Sequence, residues 1–200
     1  MPELAPRLRK KVAGETRKRL LEAAEHLGRT VGPAGMSLDA VAAAAGVSKG
    51  GLLYHFPSKH ALLRALVQDH VAGFRLEMDR LCPGWAEPAD DRQALLGARA
   101  YVAAMRELMQ QTDSPSSGVF AALTEDPHFM APLLELRGVV RRMFSRCPPE
   151  AMLVLGTCEG VVHDRMIDPD HWDCGWAETQ FRLMERLLEE LVAGRARFAG

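Results

Sequence analysis

The residues with the clearest chemical potential in this 200-residue chain lie in segment 37–56. Two short helical patterns meet there at Gly46, which tolerates the positive φ that a tight turn between helices requires. If Val47, Leu52 and Phe56 pack inward, the second helix presents a basic and aromatic face outward. That face consists of Lys49, Gly50, Leu53 and Tyr54, with His55 at its end. Such side chains suit hydrogen bonds to base edges and phosphates, so the segment indicates a helix-turn-helix that binds DNA. An ordinary helical hairpin is the alternative.

The elements that must position this face also have local signals. Ser37 and Ser48 stand at the two helix starts, where a hydroxyl can accept a hydrogen bond from an otherwise unpaired backbone N–H. Ala42 and Ala45 are small enough to let the two helices cross closely. The sequence therefore predicts two capped helices that meet at a steep angle, with the turn at Gly46.

The rest of the chain is helical in pattern as well. Apolar residues recur at intervals of three and four, and no segment shows the sustained alternation of a strand. Helices are predicted over about residues 16–31, 37–45, 48–55, 57–81, 91–111, 116–124, 130–146, 150–167 and 177–197. Residues 83–88, with two prolines and a glycine, are predicted to be a linker. We therefore expect an all-α fold.

Residues 46–63 have the sequence Gly-Val-Ser-Lys-Gly-Gly-Leu-Leu-Tyr-His-Phe-Pro-Ser-Lys-His-Ala-Leu-Leu. This sequence resembles the signature of the tetracycline-repressor (TetR) family. The resemblance implies a three-helix DNA-binding head over residues 14–74, with its helix-turn-helix at 37–56, and a helical ligand-binding and dimerisation domain over residues 75–200. It also implies a sequence-specific transcriptional regulator, a homodimeric repressor that a small apolar ligand releases from its operator.

Carried over residue by residue, the resemblance implies specific DNA contacts. The residues it assigns to DNA binding are Ser37, Ser48, Lys49, Gly50, Leu53, Tyr54, His55 and Lys59. Ser37 and Lys59 match positions that hold phosphates. Lys49 could donate to guanine O6 and N7, and Leu53 could touch a thymine methyl group.

Three positions depart from the family pattern. Gly51 stands where Thr or Ser is common, so one hydroxyl contact is absent, and Leu53 stands where an aromatic is common. Asp39 occupies a position at which some members have a base-reading residue. Because a carboxylate repels phosphate, the sequence assigns Asp39 no DNA contact.

A charge asymmetry accompanies this organisation. Residues 1–60 contain ten Lys and Arg against five Asp and Glu, whereas residues 61–200 contain fifteen against twenty-one. A basic end suggests that the N-terminal part meets a polyanion, although a solvated helix face gives the same count. Arg17 and Lys18, near the start of the first predicted helix, are well placed for phosphates. A further basic cluster consists of Arg7, Arg9, Lys10 and Lys11. It is either a flexible arm along DNA or a solubilising tail, and the sequence leaves both open.

The body of the chain is rich in methionine. Methionine adapts to varied apolar ligands, although at helical spacing most of these residues are expected to be core. The resemblance implies a ligand pocket within residues 75–170. Its expected lining residues are Met105 and Met109, with Arg99, Tyr101, Arg106 and His128 as polar anchors.

The last two predicted helices are the expected dimer surface. Gly156 and Gly160 lie four residues apart, which allows another helix to approach closely. The final helix carries an apolar stripe formed by Phe181, Met184, Leu187, Leu188 and Leu191. Two helices from each chain would form a four-helix bundle. The alternative is that the stripe packs only within its own chain.

Two other functional classes have weaker support. A metal- or redox-responsive regulator would use Cys158, His163, His171 and Cys174, whose residue types suit zinc but whose spacing is irregular. An enzyme is not indicated, because the chain contains no Gly-x-Ser-x-Gly, phosphate-loop or His-Glu-x-x-His motif. No cofactor is expected.

The cellular setting follows from cysteine usage and hydropathy. The four cysteines are widely separated, the apolar runs are too short to cross a bilayer, and the first residues lack the apolar core of a signal peptide. We expect a cytoplasmic protein with reduced thiols. Its expected partners are a double-stranded DNA operator, an unidentified small-molecule effector and a second copy of the chain, with no membrane partner.

Overall fold

The computed structural model describes residues 4–31, 35–110, 126–168 and 171–195, and for residues 4–12, 29, 127, 166 and 167 only the backbone is considered. Its α-helices are α1 (Leu4–Thr30), α2 (Leu38–Ala44), α3 (Lys49–His55), α4 (Lys59–Leu81), α5 (Asp91–Gln110), α6 (Ala131–Phe144), α7 (Pro149–Ile167) and α8 (Cys174–Val192). A 3₁₀ turn, Pro127–Met130, precedes α6. Within these ranges there is no strand, so the predicted all-α class is confirmed. The helix predicted over residues 116–124 lies outside the described residues.

The chain separates into two compact units. The first contains the described residues among Met1–His70 and Pro115–Pro132, and the second contains those among Val71–Ser114 and Leu133–Gly200. The bounds of α4 therefore place its residues in both units. In the part of the chain that is described, no helix combines the length and apolar character of a membrane span.

The first unit is built around apolar side chains from α1 to α4. Leu20, Val41, Leu52 and Leu62 are fully buried there, and each comes from a different helix. The Arg19 guanidinium, on α1, donates to the backbone carbonyls of Ala45 and Gly46 and so holds the end of α2. Burial of this shared core fixes how α2 and α3 cross.

Helix α1 begins at Leu4, not near residue 16 as the apolar pattern predicts. Both readings of the basic cluster at residues 7–11, a flexible arm and a disordered solubilising tail, expect an irregular backbone, whereas the backbone is helical there. Pro6 lies in the first turn, where its missing N–H leaves no hydrogen bond unmade. Arg, Lys, Leu and Ala favour helix intrinsically, and this preference requires no buried face. A search for amphipathic periodicity misses such a segment.

The second unit has one core formed by α5 to α8 and the end of α4. Tyr101 on α5 contacts the rings of Phe74 and Phe144 edge-on, with centroids 5.9 and 5.6 Å away. Trp85 is 1% exposed in the same core, and its indole N–H donates to Asp79 at 2.9 Å. The prediction that residues 83–88 form a linker is therefore wrong, because a buried tryptophan anchors this turn within the unit.

The ends of the last helix follow capping rules. Helix α8 begins at Cys174, three residues before its predicted start, because the Asp173 carboxylate accepts a hydrogen bond from the Trp176 N–H at 2.9 Å. It ends at Val192, and Gly194 supplies a left-handed φ of +68° just beyond. The predicted end near residue 197 is therefore too late.

Candidate DNA-binding surface and ligand site

Segment 37–56 forms the predicted helix-turn-helix. The Ser37 hydroxyl caps α2 by accepting from the Ala40 N–H at 3.1 Å, and the Ser48 hydroxyl caps α3 by accepting from the Gly51 N–H at 3.1 Å. Gly46 occupies the turn with a φ of +61°. Each of these local features agrees with its sequence prediction.

Helix α3 has a buried face and an open face. Leu52 is fully buried and Phe56, at its C-terminal cap, is 3% exposed, whereas the Tyr54 side chain is 81% exposed and Leu53 is 39% exposed. A Cβ atom built on Gly50 meets no atom within 4 Å. The residues predicted to face DNA thus share the accessible side of α3. Their contact with DNA remains a prediction.

An ion pair lies beside this face. The Lys49 ammonium, at the first residue of α3, is 2.9 and 3.0 Å from the two carboxylate oxygens of Asp39 on α2. Both side chains are exposed, Lys49 by 62% and Asp39 by 67%. The sequence suggested only that Asp39 repels phosphate. No sequence pattern predicted that the Asp39 carboxylate pairs with the Lys49 ammonium.

The flanking cations have mixed surroundings. Arg17 lies over the Phe56 ring, 5.5 Å from its centroid, and 3.5 Å from the Asp69 carboxylate, so it also packs within the first unit. Lys18 is 77% exposed, 3.5 Å from Glu22.

Two other residues predicted to contact DNA, His55 and Lys59, are less exposed than Tyr54. Lys59 is half-buried at the first residue of α4, beyond the Ser58 hydroxyl that caps this helix. His55 is half-buried and meets the Tyr54 ring edge-on at 5.1 Å.

A histidine–aspartate cluster in the first unit has no counterpart among the sequence predictions. The Asp126 carboxylate is 2.8 Å from the His60 Nε2 and 2.8 Å from the His128 Nδ1. The backbone N–H of His128 and the two imidazoles lower the pKa of Asp126 far below its usual range. The His128 side chain is 93% exposed, so its predicted role as a pocket anchor is wrong.

A cavity of about 680 Å³ opens in the second unit. Its lining residues are Leu81, Cys82, Pro83, Gln93, Leu96, Arg99, Ala100, Ala103, Glu185 and Glu189. Of the residues predicted to line a pocket, Arg99 alone is among them, with its guanidinium 3.3 Å from the Glu189 carboxylate. The lining combines apolar side chains with charged groups of both signs.

The other predicted pocket residues have structural surroundings. Tyr101, Met105 and Met109 are buried in the core of the second unit. The Arg106 guanidinium is paired with the carboxylates of Glu178 and Glu185 on α8, the latter at 3.0 Å. These four residues therefore do not line this cavity, and their role in binding a ligand remains a prediction. Two carboxylates already satisfy the positive charge that was expected to anchor a ligand.

Sequence reasoning also missed a buried cation. Arg165 on α7 is 9% exposed, lies 5.5 Å from the centroid of the Trp172 ring and donates to the Met109 backbone carbonyl. Burial lowers the pKa of this guanidinium. A single arginine in an ordinary helical stretch gives no signal of such burial.

The predicted dimer stripe on the last helix is largely interior. The residues within the unit's own core are Phe181, Met184, Leu188 and Leu191, with Leu187 packed partly against it. These side chains therefore pack within their own unit, as the alternative expects, and a contact of this stripe with a second chain remains a prediction. Gly156 and Gly160 are exposed on α7 and have no atom within 4 Å of a built Cβ.

The metal-responsive alternative finds no support. Among the described residues, no group of three or more His, Cys, Asp or Glu side chains is arranged to hold a metal ion. Cys158 is fully buried, and burial raises the pKa of its thiol to about 12, which disfavours the thiolate that zinc binds. Cys174 is exposed, and the His171 imidazole lies 2.8 Å from Asp168. The four proposed ligands therefore do not form one site.

Several solved structures share this arrangement of helices. A member of the TetR family from Streptomyces coelicolor A3 is 21% identical and covers 88% of this chain and 98% of its own, with a TM-score of 0.62. The multidrug binding protein EbrR in complex with malachite green is 21% identical, with coverages of 88% and 96% and a TM-score of 0.60. The SmeT–triclosan complex is 20% identical, with coverages of 92% and 93% and a TM-score of 0.60. These chains share the fold.

Sequence comparison adds the family. No curated protein matches the chain significantly. The model for bacterial regulatory proteins of the tetR family matches residues 20–66, and the model for the tetracyclin repressor-like C-terminal domain matches residues 97–191. Together the two matches include the helix-turn-helix and most of the second unit, and we conclude that the chain belongs to the TetR family of bacterial regulatory proteins.

Proposed function

We propose that this chain is a sequence-specific DNA-binding repressor in which α3 enters the major groove. The observation that carries the proposal is the division of α3 into a buried face and an open face. Tyr54 is 81% exposed on the open face, and Gly50 leaves room there for close approach of another molecule. Leu53 is also exposed, by 39%, so the open face presents both apolar and polar side chains to a binding partner.

The surrounding residues supply the expected DNA contacts. Lys49 and Leu53 would meet base edges, whereas Tyr54 and His55 would contact the backbone through ring-borne donors. Ser37 and Ser48 stand at helix N-termini, where phosphate is favourable. Arg17, Lys18 and Lys59 would add phosphate contacts on either side. On this proposal residues 14–74 form the DNA-binding head and residues 75–200 the ligand-binding and dimerisation domain.

A small apolar ligand is the proposed effector. The cavity in the second unit has apolar lining residues that include Leu81, Leu96 and Ala100, and its volume of about 680 Å³ falls within the range of small-molecule sites. EbrR and SmeT, which share the fold, are described in complexes with malachite green and triclosan. Binding of a ligand to a conformation that does not bind DNA would release the operator.

The proposed dimer uses the outer faces of α7 and α8. Leu153 is 60% exposed and Leu183 is 57% exposed, and Trp176 is 44% exposed on the same final helix. Gly156 and Gly160 on α7 leave space for a partner helix. Two such helices from each chain would form a four-helix bundle around a two-fold axis. A two-fold pair of α3 helices would then read two half-sites.

Titration of DNA by fluorescence anisotropy tests the proposal. The duplexes are overlapping fragments from either side of the chain's own gene, and the proteins are wild type, Tyr54→Ala and Val31→Ala. Val31 is 52% exposed in the same unit and is not part of α3, so it is the matched control.

We expect one fragment to bind wild type and the control alike, and Tyr54→Ala to bind it about 5- to 150-fold more weakly at fixed salt, the range for removal of a good contact. Equal affinity of Tyr54→Ala and Val31→Ala would contradict the placement of α3 in the groove. A fragment that dissociates when malachite green or triclosan is added would support the ligand-release step.

A further inference from the structure

The Asp39–Lys49 pair joins the two helices of the helix-turn-helix across their turn. Its oxygen–nitrogen distances of 2.9 and 3.0 Å place the ammonium against both carboxylate oxygens. Asp39 lies in the first turn of α2, and Lys49 is the first residue of α3. Both side chains are more than 60% exposed, so the pair is open to whatever molecule meets α3.

The pair adds little to the stability of the fold. Exposed ion pairs contribute little because water already solvates both charges. The crossing of α2 and α3 is fixed by buried Val41 and Leu52 and by the Arg19 guanidinium on the Gly46 carbonyl. The pair therefore acts mainly on what the Lys49 ammonium can bind.

A lysine without a partner is a flexible point charge and pairs with the nearest phosphate, whatever the base sequence. Asp39 changes this behaviour in two ways. Its negative charge cancels most of the attraction between Lys49 and the phosphate backbone. It also restricts the ammonium to one place, while the three N–H donors of that group leave at least one for a further acceptor. Guanine O6 and N7 form such an acceptor pair in the major groove.

We propose that Asp39 is a positioning residue that determines DNA sequence specificity through Lys49. It holds the Lys49 ammonium for a base edge and withdraws it from phosphate, so it lowers affinity for DNA in general and raises discrimination between sequences. This inference rests on the proposed function, because it requires that α3 meets DNA.

The ratio of operator to non-operator affinity separates this role from simple repulsion, because removal of an acid that merely repels DNA would raise affinity for all sequences alike and leave that ratio unchanged. In Asp39→Asn the Lys49 charge is no longer cancelled, so binding to non-operator duplex becomes tighter and its salt dependence steeper, by up to about 0.9 in log–log slope for each chain. The ratio of operator to non-operator affinity falls by roughly tenfold, the scale of one base contact. Asp39→Glu, which keeps the charge, retains most of the ratio.

The test uses the full chain, an operator obtained by selection from random duplexes, a panel of its single-base variants and a scrambled duplex. Asp39→Asn is compared with Glu15→Gln, which removes one exposed carboxylate from α1 in the same unit. We expect Asp39→Asn alone to flatten the base preference at one position of each half-site. In a Lys49→Gln background, the same substitution should leave base preference unchanged, because Asp39 acts through Lys49.

Two results would overturn the inference. If Asp39→Asn keeps the wild-type preference at every position, or if Glu15→Gln changes the affinity ratio equally, the pair is only a surface ion pair. In either case wild type still selects an operator and the proposed function stands. If wild type enriches no sequence from the random pool, the proposed function fails, and this inference fails with it.

Discussion

Leucines on the two sides of α8 allow a matched test of which face is core. Leu188 is fully buried in the second unit, whereas Leu183, on the same helix, is 57% exposed. Leu188→Ala removes three buried carbon atoms, which costs roughly 2.4 kcal/mol at about 0.8 kcal/mol for each carbon group. The cavity left behind raises the expected total to about 2–5 kcal/mol. Leu183→Ala has the same helix propensity change without that burial.

The assay is urea unfolding followed by circular dichroism, with sedimentation velocity to report the oligomeric state. At equal protein concentration we expect Leu188→Ala to lose about 2–5 kcal/mol of unfolding free energy while it keeps the wild-type oligomeric state. Leu183→Ala should unfold close to wild type at high concentration but dissociate more readily on dilution. The assignment of core and outer face would be refuted if Leu188→Ala kept wild-type stability and dissociated.

Two further predictions concern the first unit. Lys59→Ala should weaken binding to operator and non-operator DNA about equally. In titrations at several salt concentrations, the salt slope should fall by roughly 0.9 for each phosphate that the lysine no longer neutralises. Weaker binding to the operator alone would mean that Lys59 reads bases. The pKa of Asp126 is lowered in the folded state, so its ionised form stabilises the fold above its ordinary pKa of 3.8, and this contribution is lost as pH falls through the lower folded value. Asp126→Asn should therefore have a lower unfolding free energy than wild type at pH 6, and this difference should narrow below pH 3.8. If denaturation experiments show the same difference in unfolding free energy at every pH, the ionised carboxylate is not its source.

The helix-turn-helix could be predicted from sequence because its determinants are local. The hydroxyls of Ser37 and Ser48 accept hydrogen bonds from backbone N–H groups three residues away. Gly46 adopts the positive φ that the turn requires. Rules of this kind depend on residue type and short spacing, not on the rest of the chain. Burial of Leu52 and Phe56, which their apolar character predicts, leaves Lys49, Leu53 and Tyr54 on the outward face of α3.

The body of the chain was harder to predict because its determinants are far apart in sequence. An apolar stripe shows that α8 has a buried face, but it carries no information on whether the partner belongs to the same chain. Arg106 pairs with carboxylates 72 and 79 residues away, and Arg165 donates to the Met109 carbonyl 56 residues away. No single-sequence pattern connects such positions. Trp85 shows the same limit, since proline and glycine around it predicted a linker.

Whether α3 reads DNA is decided by selective recovery of genomic DNA fragments with wild type and Gly50→Glu, followed by sequencing. A side chain at position 50 meets no atom of the protein within 4 Å at its Cβ, so the substitution should leave the fold intact while it places a carboxylate on the open face of α3. We predict that wild type enriches an inverted repeat whose half-site centres lie about one helical turn, or a multiple, apart, and that Gly50→Glu enriches none. Failure of wild type to enrich any sequence, or recovery of the same repeat with equal efficiency by folded Gly50→Glu, would contradict the proposed role of α3.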